Sequence, residues 1–202
     1  MIDRVRMGLP IDKIAKQVIA MRDLWESRSY DFPFFTLGSP AYLDGPSPKY
    51  YEDAERLNPV LMEEFQPMYS HVSKRLAHVL CEPIMLKDNL ALPGFHIFPS
   101  DPKFLTISGN WHTDQSHVTL GLGDEDATTF TYAIKLPTGG GGADFDENGK
   151  DVYVPYDEGE MVLHDGMTMH RISKYKKYMP NEYRITLQGH IIRDGGDLVM
   201  FW

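Results

Sequence analysis

The residues with the most chemical content lie in "SGNWHTDQSH", residues 108 to 117, where His112 and Asp114 stand two apart and His117 follows. At an extended strand end, residues two apart share a face, so an imidazole and a carboxylate can grip one cation from the same side. The chain has 8 His and 29 acidic residues. Roughly one His-x-Asp pair then arises by chance, so the pair needs context. Taken on its own, the stretch is better accounted for by a polar strand end with a hydrogen-bonded His. The sequence further on separates the two readings. "EGEMVLHDGMTMHRI" reads as strand, turn and strand and carries His170, and "YRITLQGH" then brings Arg184 and Thr186, again two apart on one strand face. Two His and one carboxylate form the facial triad that suits non-haem Fe(II), with coordination positions left open for a bidentate co-substrate and O2. An Arg on a neighbouring strand would take the far carboxylate of a dicarboxylic co-substrate in a two-pronged ion pair, and Thr186 would add a hydroxyl.

The elements that must position these residues fall into two zones. Ile11, Ile14, Ala15, Val18, Ile19, Leu24 and Trp25 approximate one helical apolar stripe. A Pro-rich loop runs from Pro33 to Pro48. "NPVLMEEFQPMYSHVSKRLAHVL" reads as a second helix, with Asn58 as its N-cap, Pro59 at the first helical position and Pro67 kinking or splitting it. After Cys81 the apolar period moves toward 2. "FHIF", "FLTIS", "HVTLGL", "TFTYAIKL", "DVYVPY", "EMVLH", "MTMHRI", "YRITLQGHII" and "DLVMFW" read as short strands separated by turns such as "PSDP", "GDED" and "DENGK". This predicts a mainly β fold with N-terminal helices: a helical layer over about residues 8–81 buttressing a sandwich or jelly-roll barrel over about 84–202, in one domain.

In order and spacing, His112-x-Asp114, His170 and Arg184-x-Thr186 resemble the Fe(II)- and 2-oxoglutarate-dependent dioxygenases. The resemblance covers about residues 90–192 and includes "YAIKLPTGGGGADF" and "EGEMVLHDG". It implies a double-stranded β-helix, or jelly roll, in agreement with the strand pattern. It also implies that His112, Asp114 and His170 are catalytic and bind iron, and that Arg184 and Thr186 bind the co-substrate 2-oxoglutarate. O2 would be consumed, and succinate and CO2 released. Halogenases of the family lack the carboxylate, so Asp114 implies hydroxylation, with desaturation or another C–H oxidation open. The substrate class expected by analogy is a small molecule such as a free amino acid. The alternatives are a peptidyl side chain, or a cupin-like barrel that binds metal or ligand without turnover.

Other residues receive plainer readings. His117 is expected outside the iron shell, because a fourth protein ligand would fill a position the chemistry needs. His164 reads as a core histidine, while Trp111, Gln115 and His190 are candidates to face substrate. Thr131 and Tyr132 lie on opposite faces of one strand, and one of them would face the cavity. Met161, Met167 and Met169 read as core. "GGGG" at 139–142 reads as a wide turn beside the site and "KYKK" at 174–177 as a solvated loop.

The bulk numbers narrow the partners. The 202 residues are 42% hydrophobic and 24% charged, with a formal net charge of −9, which disfavours a nucleic-acid backbone as partner. There is no apolar run of the roughly 18 residues that a membrane helix needs and no signal-peptide core. The single cysteine, Cys81, points to a reducing cytoplasm. No recognition domain is expected beyond the Arg184 strand, and oligomeric state is not legible.

Overall fold

The computed structural model of the chain describes residues 2–123 and 127–202. In chain order the elements are β1 (Ile2–Arg6), α1 (Ile11–Ala20), β2 (Glu26–Ser27), β3 (Phe35–Leu37), α2 (Ala41–Asp44), α3 (Pro48–Leu80), β4 (Ile84–Met85), β5 (Gly94–Pro99), α4 (Ser116–Leu120), β6 (Thr128–Lys135), β7 (Ala143–Asp146), β8 (Asp151–Val154), β9 (Glu160–Asp165), β10 (His170–Ile172), β11 (Tyr183–Asp194) and β12 (Asp197–Phe201). The architecture is mostly antiparallel β with flanking helices. The larger sheet has the order β1-β9-β6-β11-β5-β3-β2, with β12 and β4 added beyond the C-terminal half of β11; the smaller is β10-β7-β8. The β12–β4 pair is parallel.

The strand β11 organises the molecule. Its 12 residues alternate between faces, and its edges bond β6 on one side and, on the other, β5 then β12. Arg184, Thr186, Gln188 and His190 therefore share one face. The opposite face carries Ile185, Leu187 and Ile191, which join Phe65, Leu61, Met68 and Val72 of α3 and Ile14 and Val18 of α1 in the main core. Of the apolar stripe expected for α1, Ile14, Ala15 and Val18 are buried, whereas Ile19 is exposed and Leu24 and Trp25 lie beyond the helix.

The N-terminal third departs from the all-helical expectation, because β1, β2 and β3 pair into the large sheet. They are too short to show a period of their own. The second helix starts eleven residues earlier than expected, at Pro48 in place of Pro59. Ser47 accepts from Tyr50 N and Pro48 takes the first helical position. Asn58 is an interior residue whose side chain reaches out instead, donating to Leu90 O (2.8 Å) and accepting from Leu92 N (3.0 Å). The helix runs unbroken through Pro59 and Pro67. Its buried face supplies the packing that outweighs the two missing hydrogen bonds.

Two expected strands are helical turns. "FLTIS" begins in a 3-10 turn, Pro102–Leu105, capped by Asp101 on Lys103 N (2.8 Å). "HVTLGL" falls on α4, which Gly121 ends in the left-handed conformation. Both are short apolar segments in which two alternations mimic a strand. "DENGK" is the expected turn between β7 and β8, with Asn148 and Gly149 at positive φ. From residue 124 on, "GDED" lies outside the described residues. Among the described residues, no helix is long and apolar enough to cross a membrane.

Candidate functional site

The segment 109–114 runs beside β10 as a strand would. Gly109 N donates to Ile172 O (3.0 Å), His112 and His170 exchange two backbone hydrogen bonds of 3.0 Å each, and Asp114 N donates to Gly166 O (2.7 Å). The last contact requires glycine. A Cβ on Gly166 would stand 2.8 Å from Ala127 O and 3.0 Å from Asp114 O. This ladder brings His112, Asp114 and His170 together, with one ligand atom from each lying within 4.8 Å of the others. His170 Nε2 is 3.4 Å from Asp114 Oδ2, and His112 Nε2 is 3.9 Å from Asp114 Oδ1.

The ring orientations suit a cation. His112 Nδ1 donates to Asn110 O (2.8 Å) and His170 Nδ1 to Thr168 O (2.9 Å). Carbonyls only accept, so each Nδ1 carries the proton and each Nε2 keeps its lone pair for a metal. Burial pushes the His170 imidazole down, toward the neutral form a ligand needs, against the opposing pull of Asp114. Burial resists ionisation of Asp114, but the surrounding His190, His170 and His164 and the Thr129 hydroxyl hold its carboxyl below the usual range. Those three imidazoles are themselves depressed, so at neutral pH the Thr129 hydroxyl is the group left to hold the charge, at 2.8 Å. A buried carboxylate beside two ring nitrogens with free lone pairs is a donor set of the kind that fits a non-haem divalent iron.

Behind the triad, a relay accounts for His190. Thr129 Oγ1 donates to Asp114 Oδ2, accepts from His190 Nδ1 (3.1 Å), and His190 Nε2 accepts from Ser116 Oγ (3.3 Å). His190 thus holds the partner of Asp114 and does not line the cavity expected of it. His117 is buried on α4, outside the metal cluster. His164 is a buried core residue, with Nδ1 on Asp165 O (2.9 Å) and its ring 4.5 Å from that of His170.

A cavity of about 410 Å³ opens over the triad and extends to Arg184, Thr186 and Gln188 on β11. Arg184 is only 3% exposed. Nε donates to Gly141 O (3.1 Å) and Nη1 to Thr186 Oγ1 (3.4 Å), and the guanidinium lies 5.5 Å from the Phe98 ring centroid. Among the described residues it has no carboxylate within ion-pair distance. The Gly-rich turn therefore borders the site, as expected. Its backbone passes so close to the next loop that a Cβ on Gly139 would stand 1.8 Å from Lys177 O.

Thr131 faces the cavity, while Tyr132 is buried in the main core. Gln115 lines the cavity mouth. Trp111 does not, and instead lies under the Arg171 guanidinium at 4.3 Å. Met161 is core, but Met167 and Met169 are 40% and 39% exposed. They sit on the turn that leads to His170. "KYKK" is solvated except for Tyr175, which packs on Phe104 and Phe98. The cavity also takes in His96, Tyr42 and Phe34, which the sequence pattern does not single out. His96 had a signal, since it alternates with Phe98 on a strand that must pair with β11.

Burial sets a pH dependence. Burial, then the Arg184 charge, pushes His96 down to about 3; burial, then His170, pushes His164 down to about 4. Both folded values lie below the unfolded value of 6.5, so the unfolded chain takes up protons first. Stability is complete above that value and falls with pH below it, by about 1.4 kcal/mol per pH unit for each His. Urea unfolding of the metal-free protein at pH 7.5, 6.5, 5.5 and 5.0 should show this decline, and His96→Gln should remove its share. A flat profile would show that neither ring is buried neutral.

The fold is similar to that of solved non-heme alpha ketoglutarate dependent enzymes, and within it the chain brings His112, Asp114 and His170 together. Among solved structures it is similar to the non-heme alpha ketoglutarate dependent epimerase SnoN from nogalamycin biosynthesis (10% identity, 98% of this chain, 90% of that chain, TM-score 0.55). The carbocyclase SnoK of the same biosynthesis covers 100% of this chain and 92% of its own, at 13% identity and TM-score 0.50. An N-substituted L-amino acid dioxygenase from Burkholderia ambifaria AMMD aligns over 76% of this chain and 69% of its own, at 13% identity and TM-score 0.53. No protein-family model and no curated relative matches the sequence.

Proposed function

We propose that the protein is an Fe(II)- and 2-oxoglutarate-dependent oxygenase that hydroxylates an unactivated C–H bond of a small molecule and releases succinate and CO2. On this reading the two sheets form a double-stranded β-helix within one domain, buttressed by α1 and α3. The observation that carries it is a buried guanidinium, without a carboxylate counter-ion among the described residues, in the same cavity as the His112–Asp114–His170 cluster. An unpaired buried charge costs several kcal/mol, and a dicarboxylate held between a metal and Arg184 would offset that cost.

His112, Asp114 and His170 would hold the iron, and Arg184 with Thr186 the distal carboxylate of 2-oxoglutarate. The bound iron and keto acid supply the oxidising power, drawing on O2. The chain's own part is placement. Two backbone carbonyls fix the imidazole tautomers, Thr129 fixes the carboxylate, and the Arg184 fork is aimed by Gly141 O and Thr186. SnoN is known in complex with Fe3+, alpha ketoglutarate and nogalamycin RO, which supports a small-molecule substrate. The acidic balance argues against nucleic acid, and the single, exposed Cys81 fits the cytoplasm.

Anaerobic addition of 2-oxoglutarate to the Fe(II)-loaded protein should give the weak visible charge-transfer band of an iron-chelated keto acid. Iron bound with no such band would overturn the reading.

A further inference from the structure

The walls of the cavity define a substrate class. Phe34 stacks on Phe98 with ring centroids 4.6 Å apart and planes 2° from parallel. Phe98 meets Phe104 edge-on at 5.9 Å, and Phe104 meets Phe32 at 5.7 Å. Ile107 and Ile172 complete this side. The aromatic wall comes from two separate parts of the chain: β5 with the 3-10 turn after it, and the segment leading into β3. The latter is tethered by Arg28, whose guanidinium makes two 2.7 Å bonds to Asp44. At the end of the row, His96 lies 5.4 Å from Phe34 and its Nε2 is 2.7 Å from Tyr42 Oη. The pair is a neutral donor and acceptor set in an apolar surface.

The charges lining the cavity are all committed. Asp114 belongs to the metal cluster and is the one carboxylate among the described lining residues. Arg184 is reserved for the co-substrate. Arg171 gives Nε to Asp144 (3.1 Å) and Nη2 to Asp151 (2.9 Å), and its guanidinium lies over Trp111 at 4.3 Å. A free amino acid would bring an ammonium with no carboxylate to meet it, and a second carboxylate with no uncommitted cation. Burying either charge without a partner is strongly unfavourable. Large pockets of this apolar kind take their affinity from ring surface and their orientation from a few polar groups.

We propose, on the footing of the oxygenase reading, that the substrate is an uncharged small molecule with a flat hydrocarbon ring system. The ring lies against Phe34, Phe98 and Phe104, and a hydroxyl or carbonyl oxygen is turned to the Tyr42–His96 pair. A zwitterionic amino acid is disfavoured even when its side chain is the same ring.

Two probes that share a ring test this. Naphthylmethanol and naphthyl-L-alanine are titrated calorimetrically into the anaerobic Fe(II) protein already showing its 2-oxoglutarate band. The alcohol should bind at least tenfold more tightly than the amino acid. Phe34→Ala and the milder Phe34→Leu should weaken alcohol binding fivefold or more while the band persists. Tighter or equal binding of the amino acid, no binding of the alcohol by the wild-type protein, or unchanged binding by both Phe34 variants would each overturn the assignment. Failure of the band to form would instead count against the oxygenase reading itself, so the two failures are separable.

Discussion

Replacing Arg184 with methionine is expected to raise the KM for 2-oxoglutarate steeply while leaving Fe(II) affinity near the wild-type value. Arg184 lies on β11, and its hydrogen bonds go to Gly141 O and Thr186 Oγ1. Truncating one partner of a buried, hydrogen-bonded charge pair costs about 2–5 kcal/mol. At about 1.4 kcal/mol per factor of ten, the requirement for co-substrate should rise between about 30-fold and a few thousand-fold. The ligand-free protein carries the opposite sign. There the guanidinium is buried with no carboxylate beside it among the described residues, so an apolar side chain of similar length should leave thermal stability unchanged or raise it. Succinate release against 2-oxoglutarate concentration, beside a melting curve of the metal-free variant, tests both halves. A large loss of stability with an unchanged KM would make Arg184 a structural residue.

Arg184 also illustrates what the sequence can carry. Metal and carboxylate chemistry restrict residue type, and a strand restricts spacing, so His112-x-Asp114, His170 and Arg184-x-Thr186 were readable without knowing how the strands pair. The structure adds the pairing, which sets His112 against His170 across two backbone bonds. The substrate wall had no such restriction. Phe32 and Phe34 sit in or beside what reads as a Pro-rich loop, and an aromatic residue there has many ordinary uses. Their role depends on β3 joining β5, a pair of three residues, and on the Arg28–Asp44 tether across 16 positions. Asn58 shows the same limit inside a helix. Its type and the following proline fit an N-cap, but its partners, Leu90 and Leu92, are more than thirty residues away. Local pattern therefore conveyed the candidate residues and most of the C-terminal strands, while long-range contact decided the element boundaries and the short N-terminal strands β1, β2 and β3.

Asp114→Ala is expected to abolish succinate formation and to remove the thermal stabilisation that Fe(II) confers. Asp114 is 7% exposed and its Oδ2 is held by Thr129 at 2.8 Å, so its geometry toward a cation is set before the metal arrives. At a free metal concentration about 100 times Kd, binding stabilises the wild-type protein by about 2.7 kcal/mol. For a chain of this size that raises Tm by about 5–10 °C. Losing the carboxylate leaves two imidazoles and no negative charge. If the cation–carboxylate contact contributes about 3 kcal/mol, affinity falls more than 100-fold and the shift at the same metal concentration drops to about 1 °C or less. Metal-free Asp114→Ala should melt close to wild type, because the substitution removes a buried charge at the same time as one hydrogen bond. His170→Ala should lose the metal-dependent shift as well. A full Fe(II)-induced shift in Asp114→Ala would exclude Asp114 as a ligand. Loss of turnover with that shift intact would place its role in binding the open positions around the metal, not in holding the metal itself.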